Sequence, residues 1–522
     1  MNGAQALLDT LVGSGVTVCF ANPGTSEMHF VAALDRVPAM RGVLTLFEGV
    51  ATGAADGYAR LTGGPAATLL HLGPGLGNGL ANLHNARRAH SPVVNIVGDH
   101  ATYHKRYDAP LESDVDAVAG TVSGWLRTSA GADQVAGDAA DAVAASLGPP
   151  GCVATLVLPA DVSWSEAAGG PARPRQPAAV PLAAPAAVEA AAKALRSGEP
   201  AAVLLGGTAV RERGLVAAAR VAEATGAKLL AETFPANLAR GAGRPAVERL
   251  AYLAEMAVAQ LDGVRHLVVA GAKPPVSFFA YPDKASDLVP DTCTVHVLAD
   301  LGQDVPAALE ALADAVGAGS GAGSGAGRGP AGVPAGRPDR PTGALDAQTL
   351  AAAVGALLPE GAVVVDEGNT SGLFVAGATA GCPPHDWLTL TGGAIGQGLP
   401  VATGAAVAAP DRKVLCLEAD GSAMYTLQAL WTQAREGLDV TTVVLSNRSY
   451  AILNLELSRV GAEAGGPQAR RMLDLSGPNL DFVALAAGMG VPAARATTAD
   501  ELVTHLERAL AEPGPALVDA VL

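Results

Sequence analysis

Residues 413–453 read KVLCLEADGSAMYTLQALWTQAREGLDVTTVVLSNRSYAIL. An apolar run, Lys413 to Leu417, delivers Asp420-Gly421-Ser422 to its carboxyl end. A helical stretch follows, then a second apolar run, Thr441 to Leu445, ending at Asn447. The pattern predicts strand, helix, strand. Ligands of parallel α/β sheets bind just beyond the carboxyl ends of the strands. If these two strands are neighbours, Asp420 and Asn447 face one another across one crevice. A carboxylate and an amide oxygen are hard ligands suited to Mg²⁺, which prefers phosphate oxygens to a complete protein cage. Gly421 and Ser422 stand where a helix begins, a place whose free N–H groups favour phosphate. Together these residues predict a Mg²⁺-bridged diphosphate.

Outward from this segment the chain falls into three blocks. The first runs to about residue 170 and alternates apolar runs (VTVCFAN, AATLLHL, PVVNIVG, VATLVLP) with helical stretches. A Pro- and Ala-rich segment, GGPARPRQPAAVPLAAP, follows as a linker. The second block, 185–315, repeats the alternation with AAVLLGG, AKLLAET, HLVVAGA and TVHVLAD. Residues 316–342, rich in Gly and Pro, read as a flexible linker. The third block, 343–522, adds AVVVDEG and PALVDAVL to the runs quoted above. Alternating strands and helices predict α/β architecture: three doubly wound domains, each a mostly parallel sheet with helices on both faces.

Composition closes off other classes. A chain of 522 residues exceeds one core. Its formal charge of −16 and lack of a Lys/Arg block argue against nucleic acid and anionic membrane. Leu388 to Pro410 carries no charge, yet it is Gly- and Ala-rich and interrupted by Pro400, so a buried helix is expected rather than a membrane span. The opening MNGAQALLDTLVGSG reads as a helix start, not a signal peptide. Cys19, Cys152, Cys293, Cys382 and Cys416 form no CxxC pair. Inert thiols in a reducing cytoplasm are expected, without disulfides or zinc.

The segment resembles the thiamine-diphosphate enzyme superfamily, whose fingerprint is GDG, about two dozen residues, then Asn. Here the first glycine is Ala419. The resemblance implies thiamine diphosphate and Mg²⁺ as cofactors, with Asp420, Asn447 and the main-chain carbonyl of Ser449 as metal ligands. It places Asn369 and Thr370, from AVVVDEGNTSG, with Gly421 and Ser422 on the diphosphate. In TGGAIGQGLP, Gly393 and the bulky Ile395 support the bent cofactor, and Tyr450 adjoins it.

Such a cofactor needs a proton-transfer group near its pyrimidine ring. A carboxyl group in a fairly dry site suits that role. LTLFEGVATGAADGYAR supplies Glu48 at the end of an apolar run and the start of a small-residue helix. Alone, that is equally a glutamate favoured by a helix N-terminus; its surrounding string resembles the superfamily's catalytic-glutamate motif. NPGTSEMHF (22–30) resembles the first active-site loop of the benzoylformate decarboxylase branch, where a hydroxyl at the position of Thr25 meets the substrate carboxylate. LLHLGPGLGNGLANL (69–83) places His71 where that branch carries a catalytic histidine.

The acetolactate synthase large-subunit branch is equally similar. That branch's FAD site finds no persuasive match in the middle block, which leaves FAD open without predicting it. The middle stretch GAKPPVSFFAYPDK has no second histidine and offers Phe278 and Phe279 instead. GDHATYHKRYDAP separates His100 and His104, which pyruvate decarboxylases have side by side. The expected activity is decarboxylation of a 2-oxo acid, acetolactate synthase-like, with carboligation to a second carbonyl left open. Simple decarboxylation of the benzoylformate type is the alternative. An inert thiamine-fold subunit and a dinucleotide oxidoreductase built on Gly73, Gly75 and Gly77 are the rival readings. The resemblance also implies a homodimer or homotetramer, each cofactor lying between the first domain of one chain and the third of another.

Overall fold

The computed structural model describes residues 1–318, 332–462 and 466–522. The first block forms six strands: β1 (Val18–Ala21), β2 (Arg41–Leu44), β3 (Ala66–His71), β4 (Val93–Asp99), β5 (Trp125–Thr128) and β6 (Val153–Pro159). They assemble in the order β2-β1-β3-β4-β6-β5, all parallel. Every residue of β4 and β6 is buried. Strands covered on both faces read as continuous apolar runs, which is why PVVNIVG and VATLVLP show no alternation.

The second block contributes β7 (Ala201–Leu205), β8 (Lys228–Ala231), β9 (Leu238–Arg240), β10 (Glu248–Arg249), β11 (His266–Ala270) and β12 (Thr294–Ala299). Five of these form a parallel sheet, β10-β8-β7-β11-β12. The remaining one, β9, leaves its own block. It pairs antiparallel with the edge of the third sheet, where the Arg240 guanidinium lies 4.8 Å from the centre of the buried Trp387 ring.

The third sheet holds β13 (Val363–Glu367), β14 (His385–Thr389), β15 (Val414–Ala419), β16 (Val440–Ser446), β17 (Ala493–Ala496) and β18 (Ala516–Val521), in the order β17-β18-β16-β15-β13-β14-β9. The strands that lead to Asp420 and Asn447, β15 and β16, are neighbours, with Ala419 opposite Leu445. The fold is thus α/β with three mostly parallel sheets.

The uncharged stretch 388–410 ends β14, makes a turn and becomes the helix Gly398–Ala408, which is buried through Val407. It packs on the helix Glu48–Thr62 so closely that a side chain at Gly404 would strike the Ala54 carbonyl. The small residues of both helices serve that contact, and the apolar core runs from Val50 and Ala54 through Leu399 and Val401 to Leu430. Among the described residues no helix is long and apolar enough to cross a membrane. All five cysteines are free.

Of the expected flexible linker 316–342, residues 319–331 lie outside the described residues. Residues 332–340 are tied down: Gly332 bridges Pro245, the Gly336 N–H donates to Gly381, and Arg337 donates to the carbonyls of Gly355 and Ala356. Backbone partners, Arg337 and the pairing of Arg340 with Glu507, which a composition reading ignores, hold this half in place.

Glu232, at the carboxyl end of β8, makes a stability prediction. Burial pushes its carboxyl from 4.5 up to about 7, against the Gly207 N–H at 3.1 Å and the Arg88 charge, which pull it down. Between those values the folded chain keeps a proton that the unfolded chain has lost. Stability contributed by this group is therefore full below 4.5 and falls as pH rises to about 7. Glu232→Gln is expected to match the parent in denaturant unfolding at about pH 4 and exceed it at about pH 8, by up to about 3 kcal/mol. Equal unfolding free energies at both pH values would exclude the buried, raised carboxyl.

Candidate active site

Three expected residues line the carboxyl edge of the first sheet. Thr25 follows β1, Glu48 follows β2 and His71 ends β3, on adjacent strands in the order β2-β1-β3. Glu48 opens its helix and is 6% exposed; Asn78 Nδ2 donates to its Oε2 at 2.9 Å. Thr25 is exposed and begins a short turn, Thr25–Glu27.

That turn carries a residue the sequence reading passed over. Glu27 is wholly buried, and its Oε2 lies 2.8 Å from His71 Nδ1 while accepting the Gly24 N–H at 2.7 Å. Its Oε1 is buried without a partner, packed over Gly98 of β4. Burial pushes the Glu27 carboxyl up, opposed by His71 and the Gly24 N–H. The pair is half-open: His71 is partly exposed, Glu27 is not. The signal available in the sequence was a lone acid three residues after Gly24. Only contact between residues far apart in the chain gives it a partner.

The third sheet gathers the rest at the ends of β13, β15 and β16, consecutive strands. Asp420 Oδ1 accepts the Gly421 N–H at 2.8 Å and Oδ2 the Arg448 N–H at 2.6 Å, so one carboxylate ties the end of β15 to that of β16. Burial pushes its carboxyl up, with those N–H groups pulling down. Asn447 donates from Nδ2 to Ser371 Oγ at 3.0 Å, and its Oδ1 accepts the Ser449 N–H at 2.9 Å. Asn369 Nδ2 donates to Ser422 Oγ at 3.2 Å. Asn369 and Arg448 both have left-handed backbones, φ +47° and +58°. Strained positions of this kind cost on the order of 1–3 kcal/mol and concentrate at functional sites. Thr370, beside Asn369, is exposed.

Tyr450 lies with its ring against Gly421, where any Cβ would collide with it. Ala419 has φ −73°, an extended backbone open to alanine, so the glycine it replaces was not required there. Ile395 is half-buried in a turn held between Gly393 (φ +76°) and Gly396 (φ +89°). Side chains of the helix Leu72–Ala89 reach this turn: Asn85 Nδ2 donates to the Ala394 carbonyl at 2.8 Å and Asn82 Nδ2 to the Gly396 carbonyl at 3.4 Å. Asn82 also holds the Gly49 carbonyl at 2.8 Å, next to Glu48.

These residues fit a Mg²⁺-bridged diphosphate. Asp420 and Asn447 present hard oxygens from neighbouring strand ends. Among the described residues no three His, Cys, Asp or Glu side chains converge on a metal site. An ion held by one carboxylate, one amide and a carbonyl would not show as such a cluster.

An α/β chain whose third sheet ends in this set, and whose first sheet carries Glu48 at its carboxyl edge, has the architecture of thiamine-dependent enzymes. Residues 1–119 match the thiamine pyrophosphate enzyme N-terminal TPP binding domain, and residues 368–520 the C-terminal TPP binding domain. A Mycobacterium tuberculosis protein, provisionally named acetolactate synthase large subunit IlvX, is 64% identical over 524 residues, covering 100% of this chain and 99% of that one. Benzoylformate decarboxylase of Pseudomonas aeruginosa is 30% identical over 536 residues, covering 99% and 98%. Among solved structures, a Rhodococcus jostii RHA1 thiamine diphosphate-dependent 4-hydroxybenzoylformate decarboxylase superimposes with a TM-score of 0.85 at 25% identity, covering 100% and 99%. The chain belongs to the thiamine pyrophosphate-dependent enzyme family that includes the acetolactate synthases and 2-oxo acid decarboxylases.

Proposed function

We propose that the protein decarboxylates a 2-oxo acid and returns a proton to the product through His71 and Glu27. The observation that carries this reading is the 2.8 Å contact of His71 Nδ1 with a buried carboxyl group, on the same sheet edge as Glu48. In this reading Asp420, Asn447 and the Ser449 carbonyl hold Mg²⁺. Asn369, Thr370, Gly421 and Ser422 hold the diphosphate, and Ile395, Gly393 and Tyr450 flank the rings. Bound thiamine diphosphate supplies a carbon nucleophile for the 2-oxo group and an electron sink for the departing CO₂. Glu48 holds a proton at its carboxyl, oriented by Asn78. Glu27 fixes the His71 ring through Nδ1, which leaves Nε2 to carry a proton to or from the substrate. Thr25 meets the substrate carboxylate.

Ligation to a second carbonyl is the second reading. Phe278 and Phe279 stand in the middle segment without a histidine. Phe278 packs edge-on against Phe234, ring centres 5.4 Å apart, and at 4.9 Å from Tyr252. That segment docks on the helix Ala451–Arg459, which carries Leu453, through Tyr281 Oη donating to Glu456 at 2.8 Å. An apolar wall of this kind leaves one proton donor fewer and favours a carbon acceptor. A dimer in a reducing cytoplasm completes the proposal, supported by the free cysteines and by exposed Leu46, Leu373, Met424 and Tyr425 near the two half-sites.

The test is CO₂ release from pyruvate, 2-oxobutyrate, branched-chain 2-oxo acids and benzoylformate with thiamine diphosphate and Mg²⁺, products identified by mass. An aldehyde product supports the first reading and a longer hydroxy ketone the second. Cofactor binding without CO₂ from any of them would leave the inert-subunit reading standing. His71→Ala is expected to lower turnover by about 10²–10⁴-fold, the usual contribution of a general acid or base, with cofactor affinity retained. Glu27→Gln should lower it less. If His71→Ala loses cofactor affinity in proportion to turnover, the histidine is structural.

A further inference from the structure

Two acidic side chains lie wholly inside the third domain, outside every role assigned above. Glu367 ends β13 and Glu418 stands beside it on β15, in register; their exposures are 1% and 0%. A buried carboxylate costs several kcal/mol unless hydrogen bonds use it. Glu367 is used on both oxygens. Oε1 accepts the Gly396 N–H at 2.7 Å and Oε2 the Gly398 N–H at 2.5 Å, so the carboxylate closes over the turn from both ends. Burial pushes this group up to about 7, the same N–H groups pulling it down. Glu418 packs against Gly398 from the neighbouring strand. The Gly396 carbonyl is taken in turn by Thr426 Oγ1 at 2.9 Å and by Asn82. Gly396, left-handed at φ +89°, directly follows Ile395.

We propose that Glu367 is a positioning residue that clamps the Gly396–Gly398 turn and so holds Ile395 in place to receive the cofactor. The inference rests on the reading of Ile395 as the support of the bent cofactor. An apolar residue would fill the end of β13 more cheaply. A carboxylate is the one side chain that presents an acceptor on each of two oxygens, here to two N–H groups two residues apart. Glutamine has the same shape but puts an N–H donor where one acceptor stood, against a backbone N–H.

The experiment is the dissociation constant of thiamine diphosphate, in excess Mg²⁺, for the full-length parent and for Glu367→Gln, Thr426→Val and Ile395→Ala, with melting curves of the cofactor-free proteins. Near-ultraviolet circular dichroism of the bound cofactor reports its bend. Glu367→Gln is expected to weaken cofactor binding about 10- to 100-fold, the loss of a charge-assisted hydrogen bond, with an altered cofactor band. KM for the 2-oxo acid at saturating cofactor should stay unchanged. Thr426→Val, which removes one of the two donors to the Gly396 carbonyl and leaves Asn82, without touching a charge, should shift the constant in the same direction by less. Unchanged cofactor affinity in Glu367→Gln, with Ile395→Ala weakened, overturns the clamp and leaves Ile395 its role. If Glu367→Gln does not fold, unchanged affinity in Thr426→Val overturns it instead. Unchanged affinity in Ile395→Ala overturns the reading of Ile395, and the clamp's purpose with it.

Discussion

Glu48→Gln is expected to bind thiamine diphosphate and Mg²⁺ like the parent and to lose about 10²–10⁴-fold in turnover, the range of a lost general acid or base. Glutamine keeps the shape of the side chain and an oxygen that can accept from Asn78 Nδ2, so the start of the helix Glu48–Thr62 is undisturbed. What it lacks is a proton that leaves and returns. Equilibrium dialysis of the cofactor and CO₂ release, on one preparation, separate the two effects. Turnover equal to the parent's would remove Glu48 from the chemistry and return it to the role of a helix-terminal acid. Loss of cofactor along with turnover would make it a binding residue.

Asp420→Ala should abolish Mg²⁺-dependent cofactor retention, a loss in affinity of about 10- to 150-fold, since a charge-assisted contact is worth about 1.5–3 kcal/mol. The same change also leaves the N–H groups of Gly421 and Arg448 without their acceptor and unties β15 from β16. A lower melting temperature without cofactor is therefore expected too. Asp420→Asn separates the consequences: it keeps an acceptor for the strand ends and removes the ionic ligand. It should melt close to the parent and still bind cofactor weakly. If Asp420→Asn retains the cofactor as the parent does, the metal site lies elsewhere.

The fold was legible because buried parallel strands announce themselves. VVNIVGD and VTTVVLS lie in the structure as β4 and β16, buried throughout. Strand limits moved by one or two residues; the run read from Lys413 to Leu417 is the strand Val414–Ala419. β9 was beyond reading. Three residues carry no periodicity, and their partner, His385–Thr389, lies in another block. The half of the second linker tied to the third domain was missed for the same reason: Gly and Pro describe the freedom of a chain in isolation, not the bonds that remove it.

The chemistry was legible where one short segment holds both the residue and its setting. Asp420 follows its strand directly, and Glu48 opens its helix. Those placements need only the order of residues, since a strand end, a helix start and the ligands suited to each are local properties. Other features arise from contact between positions far apart along the chain. The neighbouring of β15 and β16 lets the Asp420 carboxylate reach the Arg448 N–H. Glu27 meets His71 only because β1 and β3 pair, and Glu367 meets the Gly396–Gly398 turn only because the helix Gly398–Ala408 folds back over β13. Burial then turns these acids from surface charges into groups that must find partners. No local pattern encodes that requirement, because it follows from what the rest of the chain excludes, water above all.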